Sequence, residues 1–492
     1  MRVTNTMMRN NSMLNMQKNK VSYNKYLQQY NTQKKIQRPS DDPTIAVRAL
    51  KYRTTLSEID QYLSNVDDAM SWMDATETVL KDIDGRLDTM ITDCTQAATG
   101  TVNSKDRENL VKQLRESASY IFEQDANQDY AGRYLFTGFR TDVPLLFDEA
   151  QSNATYSIVE NIDVNSIDKY EYVYGEAKYD PAKTAQDYAM EASQYASTHR
   201  VLVSYDNCDD SEVTIRYTDR NGVQQEITAI NKSVQNDTTY NEHLHPGDDE
   251  VYFVIETGEL VLGDNVYAEI RSGSDMSVQY SKTNFDKGDI RPEHYFDCEA
   301  TDNGKTIKFS NTTTQNINYQ INFSQTLQVN TQACNCINTS IYRQVDEIAN
   351  VCNDLDVMER NLVAIEKRIA DCDEGDEETI AKFTELKNQI ETQIQLQNSV
   401  LQKSLSAAIT TFQNQKNDLS VALADHGSRY NRMQMTKSKL ETQKIDTDEA
   451  KSENEDVDLG EAYINFSEAD LLYQATLNAT SKILGQSLLD FI

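Results

Sequence analysis

Between Thr44 and Val143 the chain contains no proline, and inside that stretch apolar residues recur at sevens. One row is Leu56, Leu63, Met70, Glu77, Asp84 and Ile91. The other is Ile59, Val66, Met73, Leu80, Leu87 and Cys94, apolar throughout. Steps of three and four put both rows on one side of a helix as a coiled-coil seam, which other helices must cover. From Thr44 to Ala98 that helix is about 80 Å long at about 1.5 Å per residue. Thr99-Gly100-Thr101 breaks it. Asn103, with Asp106 three residues on, is placed to cap a second helix carrying Leu110, Leu114, Ala118 and Ile121. A short polar loop between two such helices folds them back antiparallel.

The far end reads the same way. No proline follows Pro292. Ile348, Val351, Leu355, Met358, Leu362, Ile365 and Ile369 form another seam, and a return helix carries Phe383, Leu386, Ile390, Ile394, Leu401, Leu405 and Phe412. A last helix follows Asp458, with Leu477, Leu484, Leu488 and Phe491 near one face. Four prolines and seven of the sixteen glycines fall between Pro144 and Pro292. There, Val213–Tyr217 and Gln225–Thr228 flank Asn221-Gly222, and Val251–Ile255 and Glu259–Leu262 flank Thr257-Gly258. Both patterns predict hairpins. Met276–Tyr280, Thr306–Phe309 and Asn318–Phe323 are further strand candidates.

The expected fold is therefore mainly α with a β-rich insert. Residues 1–140 and 331–492 form N- and C-terminal helical assembly domains, packed as an antiparallel coiled-coil bundle. Residues 141–330 form a variable β domain facing outward. Residues 1–40 are polar and basic, and are expected to be disordered in a monomer and to order when a partner completes the packing.

With 47 Lys and Arg against 79 Asp and Glu, the net charge is −32, which argues against nucleic acid or an anionic membrane as partner. Residues 1–60 go the other way, with eleven basic and four acidic residues; rich in Asn and Gln, they read as a solubilising or docking tail. The first thirty residues hold no apolar core of the length a secretory signal needs, and no apolar run is long enough to span a bilayer. Seven dispersed cysteines do not make a disulfide scaffold, and Cys334-x-Cys336 lacks the second ligand pair of a zinc site. His243 and His245, beside Asp248, Asp249 and Glu250, form the best candidate metal cluster, but Pro246-Gly247 makes a solvated turn the better reading. Asp371-Cys372-Asp373 opens like a calcium loop and fails at Gly375, Asp376 and Lys382. No nucleophile, phosphate-loop or dinucleotide motif is present. The expectation is a protein that is not an enzyme and has no cofactor and no metal.

The chain ends carry more specific signals. Met1-Arg2-Val3-Thr4-Asn5-Thr6-Met7, Lys34-Lys35-Ile36, Arg38-Pro39-Ser40-Asp41-Asp42-Pro43, Ser64-Asn65-Val66-Asp67-Asp68-Ala69 and Gly132-Arg133-Tyr134-Leu135-Phe136-Thr137-Gly138 resemble the N-terminal region of the flagellin family. Glu455-Asp456-Val457-Asp458, Tyr473-Gln474-Ala475 and Ser487-Leu488-Leu489-Asp490-Phe491 resemble its C-terminus. The family often has glycine where Gln33 stands. The resemblance implies a structural subunit of the bacterial flagellum, exported by the flagellar type III route and secreted to its site of assembly after a transient cytoplasmic stage. The Met-Arg-Val-Thr-Asn opening and Leu-Leu-Asp-Phe ending point to the members that form a ring joining hook to filament. It implies as partners other copies of the chain, the first hook-associated ring protein, flagellin, and a cytoplasmic export chaperone at the C-terminal helix. The expected assembly interface is Leu56, Ile59, Leu63, Val66, Met70, Met73, Leu477, Leu484, Leu488 and Phe491. The alternatives are a filament subunit, a surface adhesin presented on a coiled coil, and a metal-dependent enzyme built around His243 and His245.

Overall fold

The computed structural model describes all residues except 1–4, 100–102, 175–178, 181, 189–193, 235–243, 303, 311–314, 373–376 and 485–492. Two compact units are present. One comprises residues 1–70, 319–327 and 431–492, the other residues 71–318 and 328–430.

Helix α1 spans Asn5–Thr32 and α2 spans Pro43–Thr99. The turn between them shows what the Ser-Asp-Asp-Pro element does. Asp41 Oδ2 accepts from the backbone N–H groups of Gln37 and Arg38, knitting the turn. Asp42 Oδ1 accepts from Thr44 and Ile45, capping α2, and Pro43 fills the first helical position, where no N–H is needed. Gln33, just past α1, sits at φ +59°. That left-handed conformation strains an ordinary side chain and suits glycine. Gln33→Gly is expected to stabilise the soluble chain by up to about 1 kcal/mol in urea denaturation; a loss of stability would show that the strain argument is wrong.

Helix α3 spans Ser104–Ser119, and Asn103 Oδ1 accepts from Asp106 N as its spacing predicts. Leu110, Leu114 and Ala118 of α3 and Ile121 just beyond it are buried. Arg86 of α2 pairs with Asp125 at 2.6 Å and lies over the Tyr120 ring, so the chain does fold back after α2. The Gly132 motif is a small hairpin, β1 Asp129–Tyr130 and β2 Arg133–Tyr134. Ala131 and Gly132 in its turn both have positive φ.

The insert is one ten-stranded sheet. Its strands are β3 Ala154–Ile162, β4 Asp168–Tyr174, β5 Gln194–Leu202, β6 Val213–Thr218, β7 Gln224–Lys232, β8 Val251–Val254, β9 Glu259–Leu262, β10 Ser274–Lys282, β11 Asp297–Asp302 and β12 Lys305–Phe309. They run in the order β12-β11-β3-β10-β6-β7-β8-β9-β5-β4. The β7–β8 pair is parallel; the other ladders are antiparallel. Both expected hairpins form, with Gly222 and Gly258 at positive φ. Helix α4, Asp264–Ser272, packs Val266 and Ile270 into the main sheet core, and a short α5 spans Pro292–Tyr295. The strand expected at Asn318–Phe323 does not join this sheet. It is β13, Asn318–Asn322, which among the described residues pairs with β14, Gln325–Gln328, alone.

After a short α6, Ala333–Cys336, helix α7 spans Ser340–Ala370. Helix α8 then runs unbroken from Glu377 to Glu455, about 120 Å. Arg107 of α3, almost fully buried, pairs with Asp356 and Glu359 of α7 at 2.5 Å each. The sheet is also tied to α7. Arg200 of β5 pairs with Glu259 and, at 2.8 Å, with Glu347. Helix α9, Leu459–Leu484, is capped by Asp458, which accepts from Gly460 and Glu461.

Candidate assembly surfaces

The α2 seam is real, but the row running from Leu56 to Ile91 differs from the sequence reading. Ile59, Val66, Met73, Leu80, Leu87 and Cys94 are all buried. The companion buried row is Ala69, Thr76, Ile83 and Met90, whereas Leu56, Leu63, Met70, Glu77, Asp84 and Ile91 are only half-buried. Leu56 and Leu63 drew attention because they are large. Ala69 and Thr76 matter because small residues let a neighbouring helix approach. Thr76 satisfies its hydroxyl on the Trp72 carbonyl.

Helix α8 presents the matching row: Leu405, Phe412, Leu419, His426, Met433 and Leu440, every seventh residue and every one buried. Ion pairs fix the register. In one unit Asp60 pairs with Lys444 and Asp67 with Lys437, both at 2.8 Å; in the other, Asp88 pairs with Lys416. Seven residues forward on α2 correspond to seven back on α8, so the helices run antiparallel.

His426 stands alone as a polar member of that row. It is fully buried, and both ring nitrogens lack a hydrogen-bond partner. Burial and then Arg429 lower its pKa, and Glu77, Asp425 and Asp74 oppose them only in part.

The base of the terminal unit is bound by a compact charge cluster. Lys35 N donates to Glu455 O at 2.7 Å and Val457 N to Gln33 O at 3.0 Å. Glu455 receives Arg53 at 2.8 Å and Lys34 at 3.4 Å; Lys34 also pairs with Asp456. Burial works to raise the Glu455 carboxyl, but Arg53 and Lys34 outweigh it and hold it below its ordinary value. Glu455→Gln is expected to weaken this junction, and trypsin is expected to release residues 1–40 faster from the variant. Equal cleavage rates would show that the cluster does not hold the ends together.

Beyond the cluster, α1 and α9 pack antiparallel through stacked rings. Tyr23 meets Phe466 and Tyr473 at 5.6 and 5.5 Å, and Tyr30 meets Phe466 at 5.8 Å. Two helices cannot cover all of each other's apolar surface. Met7, Leu14 and Val21 on α1, and Tyr463, Ile464, Leu471 and Leu472 on α9, are each more than half exposed, an unusual density of apolar groups in water. Leu477 is 42% exposed. The Leu484 side chain, Leu488 and Phe491 lie outside the described residues.

The candidate metal positions do not gather. His245 bonds the Tyr172 hydroxyl at 2.7 Å, and His243 lies outside the described residues. Among the described residues no group of three His, Cys, Asp or Glu is placed to hold a metal, and no helix is long and apolar enough to cross a membrane. Cys334 and Cys336 are free thiols pushed up by burial.

Comparison with known proteins follows the same division of the chain. The bacterial flagellin N-terminal helical region matches residues 3–141 and the C-terminal helical region residues 407–492. Flagellar hook-associated protein 3 of Salmonella typhimurium is 27% identical over 150 residues, 30% of this chain and 47% of that protein. Its Escherichia coli counterpart is 25% identical over 149 residues, with the same coverage. The chain thus spans about half the length of the curated relatives it matches. Among solved structures, FlgL of Xanthomonas campestris aligns over 82% of this chain and 99% of its own at 9% identity, with a TM-score of 0.32, too low to equate the folds. Both terminal helical regions of bacterial flagellin are thus matched in order on either side of a β-sheet insert, together over less than half of the chain.

Proposed function

We propose that this protein is a non-catalytic structural subunit of the bacterial flagellum that forms the ring joining hook to filament. The observation that carries the proposal is the exposed apolar face of the α1–α9 pair, on terminal regions that match the flagellin family. A lone subunit leaves that face in water; a tube of subunits buries it. Identity to hook-associated protein 3 favours the junction over the bulk filament. In this reading Leu56, Leu63, Met70 and Leu477, all incompletely covered, contact neighbouring axial subunits, while Ile59, Val66 and Met73 hold the subunit's own coiled coil. The neighbours are other copies, the first hook-associated ring protein and flagellin. The C-terminal helix, including Leu484, Leu488 and Phe491, binds an export chaperone before leaving through the type III route. Residues 1–40 order fully only on assembly, and the sheet faces outward.

Deleting the gene is the test. Expected are intact hooks, no attached filaments, and flagellin shed into the medium. Short or fragile but attached filaments would favour a filament-subunit role instead.

A further inference from the structure

Phe323 is the most exposed large apolar side chain among the described residues, at 83%. It sits in the two-residue turn between β13 and β14. Two residues earlier Ile321 is fully buried, and Leu327 on the return strand is 7% exposed. Gln320 O accepts from Asn65 Nδ2 at 2.9 Å, which fixes the hairpin on α2. A hairpin anchored this firmly, with an aromatic ring at its tip in water, has the form of a knob.

The same compact unit carries a socket. A cavity of about 160 Å³ is lined by the apolar Ile36, Pro39, Ala46, Ala49 and Leu50 and by the polar Gln37, Lys34, Arg38, Arg53 and Glu455. A cavity of about 150 Å³ takes a benzene ring; Lys34 and Arg53 on its wall are paired with Glu455, and a cation lying over an aromatic face favours a ring over an aliphatic chain. Asn65, which marks the knob, and Leu50, which lines the socket, lie about 20 Å apart along one helix. Phe323 cannot reach the socket of its own chain.

Along α2 itself the charges beside the two features are opposite, although within the subunit Asp60 and Asp67 pair with Lys444 and Lys437, and Arg53 with Glu455; Arg48 and Lys51 beside the socket and Glu58 and Asp68 beside the knob lie outside those pairs. From Pro43 to Thr55, beside the socket, α2 carries Arg48, Lys51 and Arg53 and no acid. From Leu56 to Met70, beside the knob, it carries Glu58, Asp60, Asp67 and Asp68 and no base. Asp68 lies one turn from Asn65 on the same helix face. A second copy displaced along α2 would set its basic stretch against this acidic one.

We propose that Phe323 of one copy inserts into the socket formed by Ile36, Ala46, Ala49 and Leu50 of the next. The contact is head-to-tail, the kind that closes into a ring when the rotation between copies permits. It rests on the ring reading above and names the contact that closes the ring.

The experiment places p-benzoyl-phenylalanine at position 323 of the full chain, illuminates isolated hook–basal bodies, and maps the adducts. Adducts on residues 34–53 of another copy are expected, with Leu50→Asp reducing their yield at least tenfold. Phe323→Ala should leave at least tenfold fewer filaments attached, and Phe323→Tyr should retain them. Adducts on another axial protein, or elsewhere on this chain, would overturn the knob-and-socket contact while leaving the ring reading intact. Absence of the protein from the hook–filament junction would instead defeat the ring reading itself.

Discussion

Replacing Leu471 and Leu472 together by aspartate is expected to leave the soluble subunit as stable as the wild type and to remove it from the flagellum. Both side chains are more than half exposed in the single chain, so neither contributes a core contact there, and surface substitutions of this kind change stability by about 0.5 kcal/mol or less. In the proposed assembly the same leucines become buried. Each then contributes about 1.5–3 kcal/mol of transfer free energy. Losing both, and placing two carboxylates in the contact, weakens association about a hundredfold or more. Urea denaturation of purified protein and counts of attached filaments give the two readouts. A variant that unfolds early would place these residues in the fold of the subunit. One that assembles normally would remove the α1–α9 face from the assembly surface.

The second large effect is acid loss of stability through two buried histidines. His294 of α5 is 6% exposed and bonds the Pro144 carbonyl at 3.1 Å. Burial, helped by Arg140 and Arg291, lowers its pKa from 6.5 to about 4. The unfolded chain therefore takes up a proton near pH 6.5, while the folded chain does so only near pH 4. The stability associated with the neutral ring is present above pH 6.5 and falls away as pH drops from 6.5 towards 4, a loss of about 3 kcal/mol. His426 is shifted in the same direction, so its contribution has the same sign. Buried Glu160 is shifted upward, chiefly by desolvation, and acts oppositely as pH falls. The difference between wild type and variant isolates each histidine. His294→Gln, which keeps a donor for Pro144, should flatten the stability profile between pH 6.5 and 4. His426→Leu removes a buried ring with two unpartnered nitrogens from an otherwise mostly apolar row. It should stabilise the protein by about 1–3 kcal/mol at pH 7.5 and by more at pH 5. Parallel pH profiles for wild type and both variants would show that neither ring carries the effect.

The helical ends were legible because their information is periodic and local. Rows at sevens, a cap at Asn103 and another at Asp458 can be read residue by residue. The companion row of Ala69, Thr76, Ile83 and Met90 is not legible in the same way, because a ranking by size favours Leu56 and Leu63 over Ala69 and Thr76, although Glu77 and Asp84 interrupt the row from Leu56. The sheet was half legible. Its turns at Gly222 and Gly258 announce themselves, but β3, β4 and β5 did not, because each carries charge among its apolar residues. On β3, Glu160 is buried and accepts from Ser204 and Tyr280. On β5, Arg200 is buried between Glu259 and Glu347. Such partners lie 44 to 147 residues away in the chain, so alternation alone could not mark those strands as core. The strand order, including the parallel β7–β8 pair, depends on the same distant contacts. Of the surface features, the presence of a last helix after Asp458 was legible; the face read for it, Leu477, Leu484, Leu488 and Phe491, does not include Tyr463, Ile464, Leu471 and Leu472, the side chains found exposed. The exposure of Phe323 was not legible, since Asn318–Phe323 reads as an ordinary strand until its hairpin is seen apart from the main sheet.

The most direct measurement of the central claim is electron microscopy of isolated hook–basal bodies carrying this protein with a gold-labelled tag in the β insert. The account predicts label confined to a narrow collar where hook meets filament, with hooks lacking filaments when the protein is absent. Label distributed along the filament, or absent from purified flagella altogether, would contradict it.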